Sequence, residues 1–213
     1  MEKSAFIIEA KGYNIREPLR EPSKAFIRLR DDFNSSIGYG YEQTLRIESK
    51  FFNRGDLVIT DDKGKVIKTV KTTDYEDNDF SIIINLNSFG QIQNDLSILL
   101  TKDEDDVFPW VVKLDDFEVI VLTLLKLKKG PGYLIEYLLL RESLHGRLIC
   151  GDELELFGAF IQNLIPKEIF ESDIVLVTNP MHAAIFDELY HKGLGFKDEK
   201  YLTEKKSGKY RFL

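Results

Sequence analysis

Phe6-Ile7-Ile8-Glu9-Ala10-Lys11 is the stretch on which the reading of this chain turns. Aromatic and β-branched residues fill its first half and charge followed by Gly12 closes it, so the pattern predicts a buried strand over Ala5–Ala10 running into a loop. Successive strand side chains point to opposite faces, which puts Glu9 and Lys11 on the same one. One carboxylate and one ammonium then project together. A metal-dependent phosphodiesterase uses such a pair: the carboxylate holds Mg²⁺ against the scissile phosphate, and the lysine orients the attacking water and stabilises developing charge. A Glu-x-Lys triplet by itself is more often a surface ion pair, but an apolar lead-in such as Phe6-Ile7-Ile8 is not where such a pair ordinarily starts.

Working outward, residues 12–24 carry Pro18, Pro22 and alternating charge, which is loop composition, and Phe26–Phe33 is too short to assign. Tyr41–Phe52 has the i,i+4 spacing of Glu42, Arg46 and Lys50 expected of a helix, closed by Gly55, and it carries Gln43, which can reach back toward Glu9 and Lys11. Asp56–Thr60 and Lys65–Thr69, joined by Asp61-Asp62-Lys63-Gly64, read as a hairpin, and Phe80–Leu86 as a further strand. After the acidic run Asp103–Asp106 comes the strand Phe108–Lys113, and then the pattern turns helical. Asp115 with Glu118 has capping-box spacing ahead of a helix, Pro131 opens another, Asp152 with Glu155 repeats the capping signal, Asp173–Thr178 reads as a strand, and Asn179-Pro180 starts a helix to Lys192, stopped by Gly193. The expected class is α/β: a mixed sheet with flanking helices over residues 1–114, then a mostly helical region over 115–213 packed on it.

Composition narrows the function classes. The 213 residues are 43% hydrophobic, enough for a real core, and the net charge of −7 makes attraction to nucleic acid or anionic membrane no default. The charge is uneven: residues 1–54 hold ten basic and eight acidic side chains, the remainder nineteen and twenty-eight. A lone cysteine, Cys150, excludes an internal disulfide framework and a Cys-rich zinc site, and makes a reducing cytoplasm the simplest compartment. No apolar stretch approaches a membrane span, and Glu9 interrupts the N-terminus before a signal-peptide core develops. His145, His182 and His191 are too dispersed for a shared metal, and Cys150 has no base near it in sequence. Phosphate-cradling and dinucleotide-binding glycine motifs are missing, which argues against an ATPase or a dehydrogenase.

The segment Phe6-Ile7-Ile8-Glu9-Ala10-Lys11, the basic Pro-containing loop after it and the helix bearing Gln43 resemble the metal-binding strand and following helix of the restriction-endonuclease-like (PD-(D/E)xK) nucleases, most closely their nuclease-related-domain branch. The stretches Phe108–Val112, Asp115–Ile120, Tyr133–Leu138 and Gly151–Phe157 look like the region downstream of that core in large bacterial proteins of this kind. The resemblance implies a restriction-endonuclease-like core with Glu9 as carboxylate and Mg²⁺ ligand, Lys11 as the site lysine, Gln43 as the helix glutamine, and DNA or RNA as substrate. Such nucleases bring a further aspartate from the strand before the Glu-x-Lys strand, whereas only Met1–Ser4 precede this one. The chain therefore reads as part of a nuclease core, inactive or weak alone.

Arg16, Arg20, Lys24 and Arg28 are the basic side chains placed to meet phosphates. Glu17, Glu21, Asp31 and Asp32 offset most of that charge, which makes a self-paired loop the competing reading. The competing function is a non-catalytic assembly module, in which the sheet edge vacated by missing strands pairs with another chain, either a second copy in a homodimer or a different partner.

Overall fold

The structure, a computed structural model, describes residues 3–17, 19–75, 79–170 and 173–191. Three strands form its principal sheet: β1 (Ala5–Lys11), β4 (Asp79–Asn85) and β5 (Trp110–Lys113), in the order β1-β4-β5 and parallel throughout. The mixed sheet expected from the sequence is thus parallel among the described residues. Between β1 and β4 lie α1 (Pro22–Phe33), a π-helical turn Asn34–Gly38, α2 (Tyr39–Phe52) and the hairpin β2 (Asp56–Thr60)–β3 (Val66–Lys71), which forms its own two-stranded sheet.

α1 replaces part of the loop expected over 12–24 and the unassigned stretch after it. Pro22 occupies its first turn, where the missing N–H costs nothing, and Leu29 and Phe33 face the core behind a charged outer surface. α2 begins two residues earlier than its periodicity suggests because the π turn leads directly into it, burying Ser36 and Ile37.

Each face of the sheet has its own core. Register places Ile7, Glu9 and Lys11 beside Ser81, Ile83 and Asn85, and Ile83 and Val111 meet Phe33, Ile37 and Tyr41. On the opposite face Ile82, Trp110 and Val112 meet the helical second half. The short α3 (Gln91–Asn94) lies between β4 and β5, and the second half runs α4 (Leu114–Lys126), α5 (Pro131–Ser143), β6 (Leu148–Ile149), α6 (Glu153–Ile161), β7 (Leu176–Val177), the 3₁₀ turn Pro180–Ala183 and α7 (Ala184–His191). The expected division near residue 114 falls between β5 and α4, and the larger apolar cluster crosses it.

Two local expectations change. Lys113, not Asp115, is the N-cap residue of α4, and Asp115 in the first turn accepts instead from Lys113 Nζ at 2.7 Å. The strand expected over Asp173–Thr178 shrinks to Leu176–Val177, paired parallel with β6. Asp152 does cap α6, accepting from Leu154 N at 2.8 Å. The helix stop at Gly193 lies outside the described residues.

β1 is also less buried than its composition suggests. It pairs with β4 alone among the described residues and forms one edge of the sheet, so Ile8 is 51% exposed. Apolar composition reports that a strand can be buried, whereas the number of neighbouring strands decides whether it is.

Candidate functional site

Glu9 and Lys11 lie at the carboxyl end of β1, on the face that α2 covers. Lys11 Nζ donates to Glu9 Oε1 at 2.9 Å and to Gln43 Oε1 from α2. The ring of Tyr39 lies 4.5 Å from the same ammonium. The Lys11 side chain is only 10% exposed against 31% for Glu9, so the cation is enclosed while its carboxylate partner borders solvent. An ammonium withdrawn from water is costly unless it is paired, and two oxygens and an aromatic face meet that requirement. Gly40 makes the enclosure possible: a Cβ there would lie 3.1 Å from Lys11 Cε and 3.1 Å from Ile83 Cδ1. A side chain at that position requires the Lys11 and Ile83 side chains to give way by a few tenths of an ångström.

The three residues singled out in sequence are therefore brought together, and the structure adds others. Asn85, register partner of Lys11, is buried and accepts from Ser36 Oγ at 3.1 Å, while its Nδ2 has no hydrogen-bond partner among the described residues. Lys11, Asn85 and Lys113 stand in one row at the carboxyl ends of three parallel strands, the end at which open parallel sheets place their ligands. On the same face, Glu48 of α2 accepts from Ser81 Oγ, and burial holds its carboxyl above the usual range against that hydrogen bond. Glu48 falls within the helix expected over Tyr41–Phe52, but nothing in the sequence signals its partner Ser81, which is 33 residues away.

The basic residues are largely committed within the chain. Arg16 donates through Nε to Asp32 Oδ1 at 2.6 Å and through its backbone N–H to Asp32 Oδ2 at 2.9 Å, and Tyr13 Oη donates to the same carboxylate at 3.1 Å. Burial alone would raise the Asp32 carboxyl; these contacts outweigh it and hold the group below its ordinary value. Lys24 pairs with Glu21 at 2.6 Å, and Arg28 Nη1 donates to the Glu17 carbonyl at 2.8 Å. Arg20 is exposed. Cys150 is buried and burial pushes its thiol up to about 11, which suits packing rather than nucleophilic attack.

For Mg²⁺ the described residues of one chain fall short. Glu9 supplies one carboxylate and Gln43 one amide oxygen, with both Oε1 atoms accepting from Lys11, and among the described residues no three His, Cys, Asp or Glu side chains cluster to hold an ion. Mg²⁺ requires near-octahedral oxygen ligation, for which one carboxylate is a beginning rather than a site.

A second acidic group lies beyond β5. Burial pushes the Asp116 carboxyl up to about 7, with Asp152 and Glu153 adding to the rise and Lys113 opposing it. A folded-state value above the ordinary 3.8 favours the protonated native form, so this contribution is fully present below that value and is lost as pH rises through about 7. Asp116→Asn is therefore expected to melt higher than the parent at pH 8, with the gain vanishing toward pH 4. Thermal melts at the two pH values check this; an equal gain at both would show that Asp116 does not titrate in this range.

Comparison with known proteins finds no matching family model, curated protein or solved structure. Among the described residues no helix is long and apolar enough to cross a membrane.

Proposed function

We propose that Glu9, Lys11 and Gln43 form one side of a metal-dependent phosphodiester-cleaving site acting on nucleic acid, completed by a further acid from another strand or chain. The observation that carries this reading is the enclosed Lys11 ammonium, fixed by Glu9, Gln43 and Tyr39 at the carboxyl end of a parallel strand. A cation held in place before substrate arrives stabilises charge developing on a phosphoryl oxygen without reorganising in the reaction. The Asn85 amide beside it offers a second donor. Glu9, on the more open side, is positioned to share a divalent ion with an added carboxylate. The isolated chain is accordingly a weak nuclease at best.

A labelled panel of single- and double-stranded DNA and RNA, incubated with the purified chain and Mg²⁺ or Mn²⁺, tests this. Weak metal-dependent cleavage, or metal-dependent binding without cleavage, is expected, and Glu9→Gln or Lys11→Ala should each abolish it, since removing one preorganised electrostatic group usually costs about 100-fold or more. Cleavage indifferent to both substitutions, or a parent chain with neither metal-dependent cleavage nor metal-dependent binding, overturns the reading. The second result would favour the assembly module, for which the specific observation is that β1 has an edge no described strand pairs.

A further inference from the structure

We propose that two copies of this chain pair β1 with β1 in antiparallel fashion about Ile8, and that this pairing brings the two Glu9 carboxylates together. The metal-binding part of the inference rests on the reading of the site given above; the pairing itself does not.

The register of the existing ladder fixes which backbone groups are available. Lys11 O accepts from Leu86 N at 3.3 Å, so Ile7, Glu9 and Lys11 turn their N–H and C=O groups toward β4. Phe6, Ile8 and Ala10 turn theirs toward the open edge. An antiparallel partner must set outward residues against outward residues. Of the registers that do so between two identical strands, the one centred on Ile8 is the longest: it pairs all seven residues of Ala5–Lys11, and shifting the centre to Ile7 or Glu9 leaves five. Ile8 then faces its own copy as a hydrogen-bonded pair, and two side chains that are each 51% exposed cover one another.

On the opposite face the same register sets Glu9 across from the partner's Ile7 and diagonal to the partner's Glu9. Diagonal neighbours on an antiparallel pair are about 7–8 Å apart at the backbone, with Cβ atoms somewhat closer, a span that two glutamate side chains bridge to one ion. Charge permits the approach, because each copy brings a Glu9–Lys11 pair held at 2.9 Å and the four groups sum to zero. Among the described residues a single chain brings one carboxylate to Lys11; the symmetric pair brings two, which is the ligand a Mg²⁺ site here lacks. A second copy is therefore the occupant that serves both the edge of β1 that no described strand pairs and the incomplete site.

Light scattering of the full chain after size exclusion, from about 1 to 200 µM, should give twice the chain mass. Ile8→Pro removes an outward N–H and leaves the β4 ladder untouched, since proline is tolerated where a strand's N–H faces away from its neighbour. It should halve the measured mass with the circular dichroism spectrum unchanged. Ile8→Cys should form an interchain disulfide under mild oxidation, whereas the parent, whose only cysteine is the buried Cys150, should not. A parent that stays monomeric across the range, or a dimer whose mass Ile8→Pro does not alter, overturns the pairing. Calorimetry with Mn²⁺ alone should find one ion per dimer, with affinity at least tenfold lower in Glu9→Gln. An Ile8-dependent dimer that takes up no Mn²⁺ would overturn the metal site while leaving the strand pairing in place.

Discussion

Glu153→Ala is expected to cost the fold about 3–5 kcal/mol, because it strips the counter-ion from a cation sealed in the core. Glu153 Oε1 accepts from Arg141 Nε at 2.9 Å, from Trp110 Nε1 at 2.7 Å and from Tyr137 Oη. Arg141 is 1% exposed and Glu153 2% exposed. Removing the carboxylate leaves a guanidinium, an indole N–H and a phenol O–H in an apolar surround with no shared acceptor. This junction ties β5 to α5 and α6, so the loss is global rather than local. For a chain of this length each kcal/mol moves Tm by about 2–4 °C, giving a drop of about 6–20 °C. Urea unfolding of parent and variant measures it directly. A loss below about 1 kcal/mol would mean that water reaches the junction and replaces the carboxylate.

Gly158→Ala is the second large effect and acts through space rather than charge. A Cβ on Gly158 would stand 2.1 Å from the carbonyl oxygen of His182 and 2.7 Å from its carbonyl carbon. Those atoms are backbone, so no side-chain rotation relieves the clash. The 3₁₀ turn Pro180–Ala183 is itself fixed by Asn179, whose side chain accepts from Met181 N at 2.9 Å and forms a capping box with His182, whose side chain accepts from the Asn179 N–H. Alanine should therefore lift this turn and α7 away from α6, uncovering Phe157 and Phe186, which stack with ring centroids 5.9 Å apart. Overpacking of this kind costs about 1–3 kcal/mol or more, against a gain of about 1 kcal/mol in helix propensity. Hydrogen exchange should speed up over residues 180–191 while β4 and β5 stay protected. A variant as stable as the parent with unchanged exchange would refute the close approach.

Local elements were legible where one residue pattern settles them. The hairpin β2–β3 follows from two apolar runs flanking Asp61-Asp62-Lys63-Gly64, and α5 and α6 follow from Pro131 and Asp152 at their starts. α1 was hidden because Pro22 at its start falls in a stretch of loop composition and its apolar residues are spaced among Arg28, Arg30, Asp31 and Asp32, which leaves Phe26–Phe33 unassigned until Phe33 and Leu29 have a core to enter. The Asp115 capping signal misled for a related reason: a capping side chain competes with other partners, and Lys113 lies near enough to take it.

For the site, strand alternation alone put Glu9 and Lys11 on one face, and helix periodicity put Gln43 on an element able to meet them. These are relations of period two and period 3.6, written in nearest neighbours. The sequence could not say that Gly40 lets α2 close over Lys11, that Ser36 and Asn85 meet across 49 residues, or that Arg16 is spent on Asp32. Nor could it say that β1 stands at an edge with Ile8 outside. Each of these depends on which segments become neighbours after folding, and the free energy that selects those neighbours comes from burial and pairing summed over the whole molecule rather than from any residue's local preference.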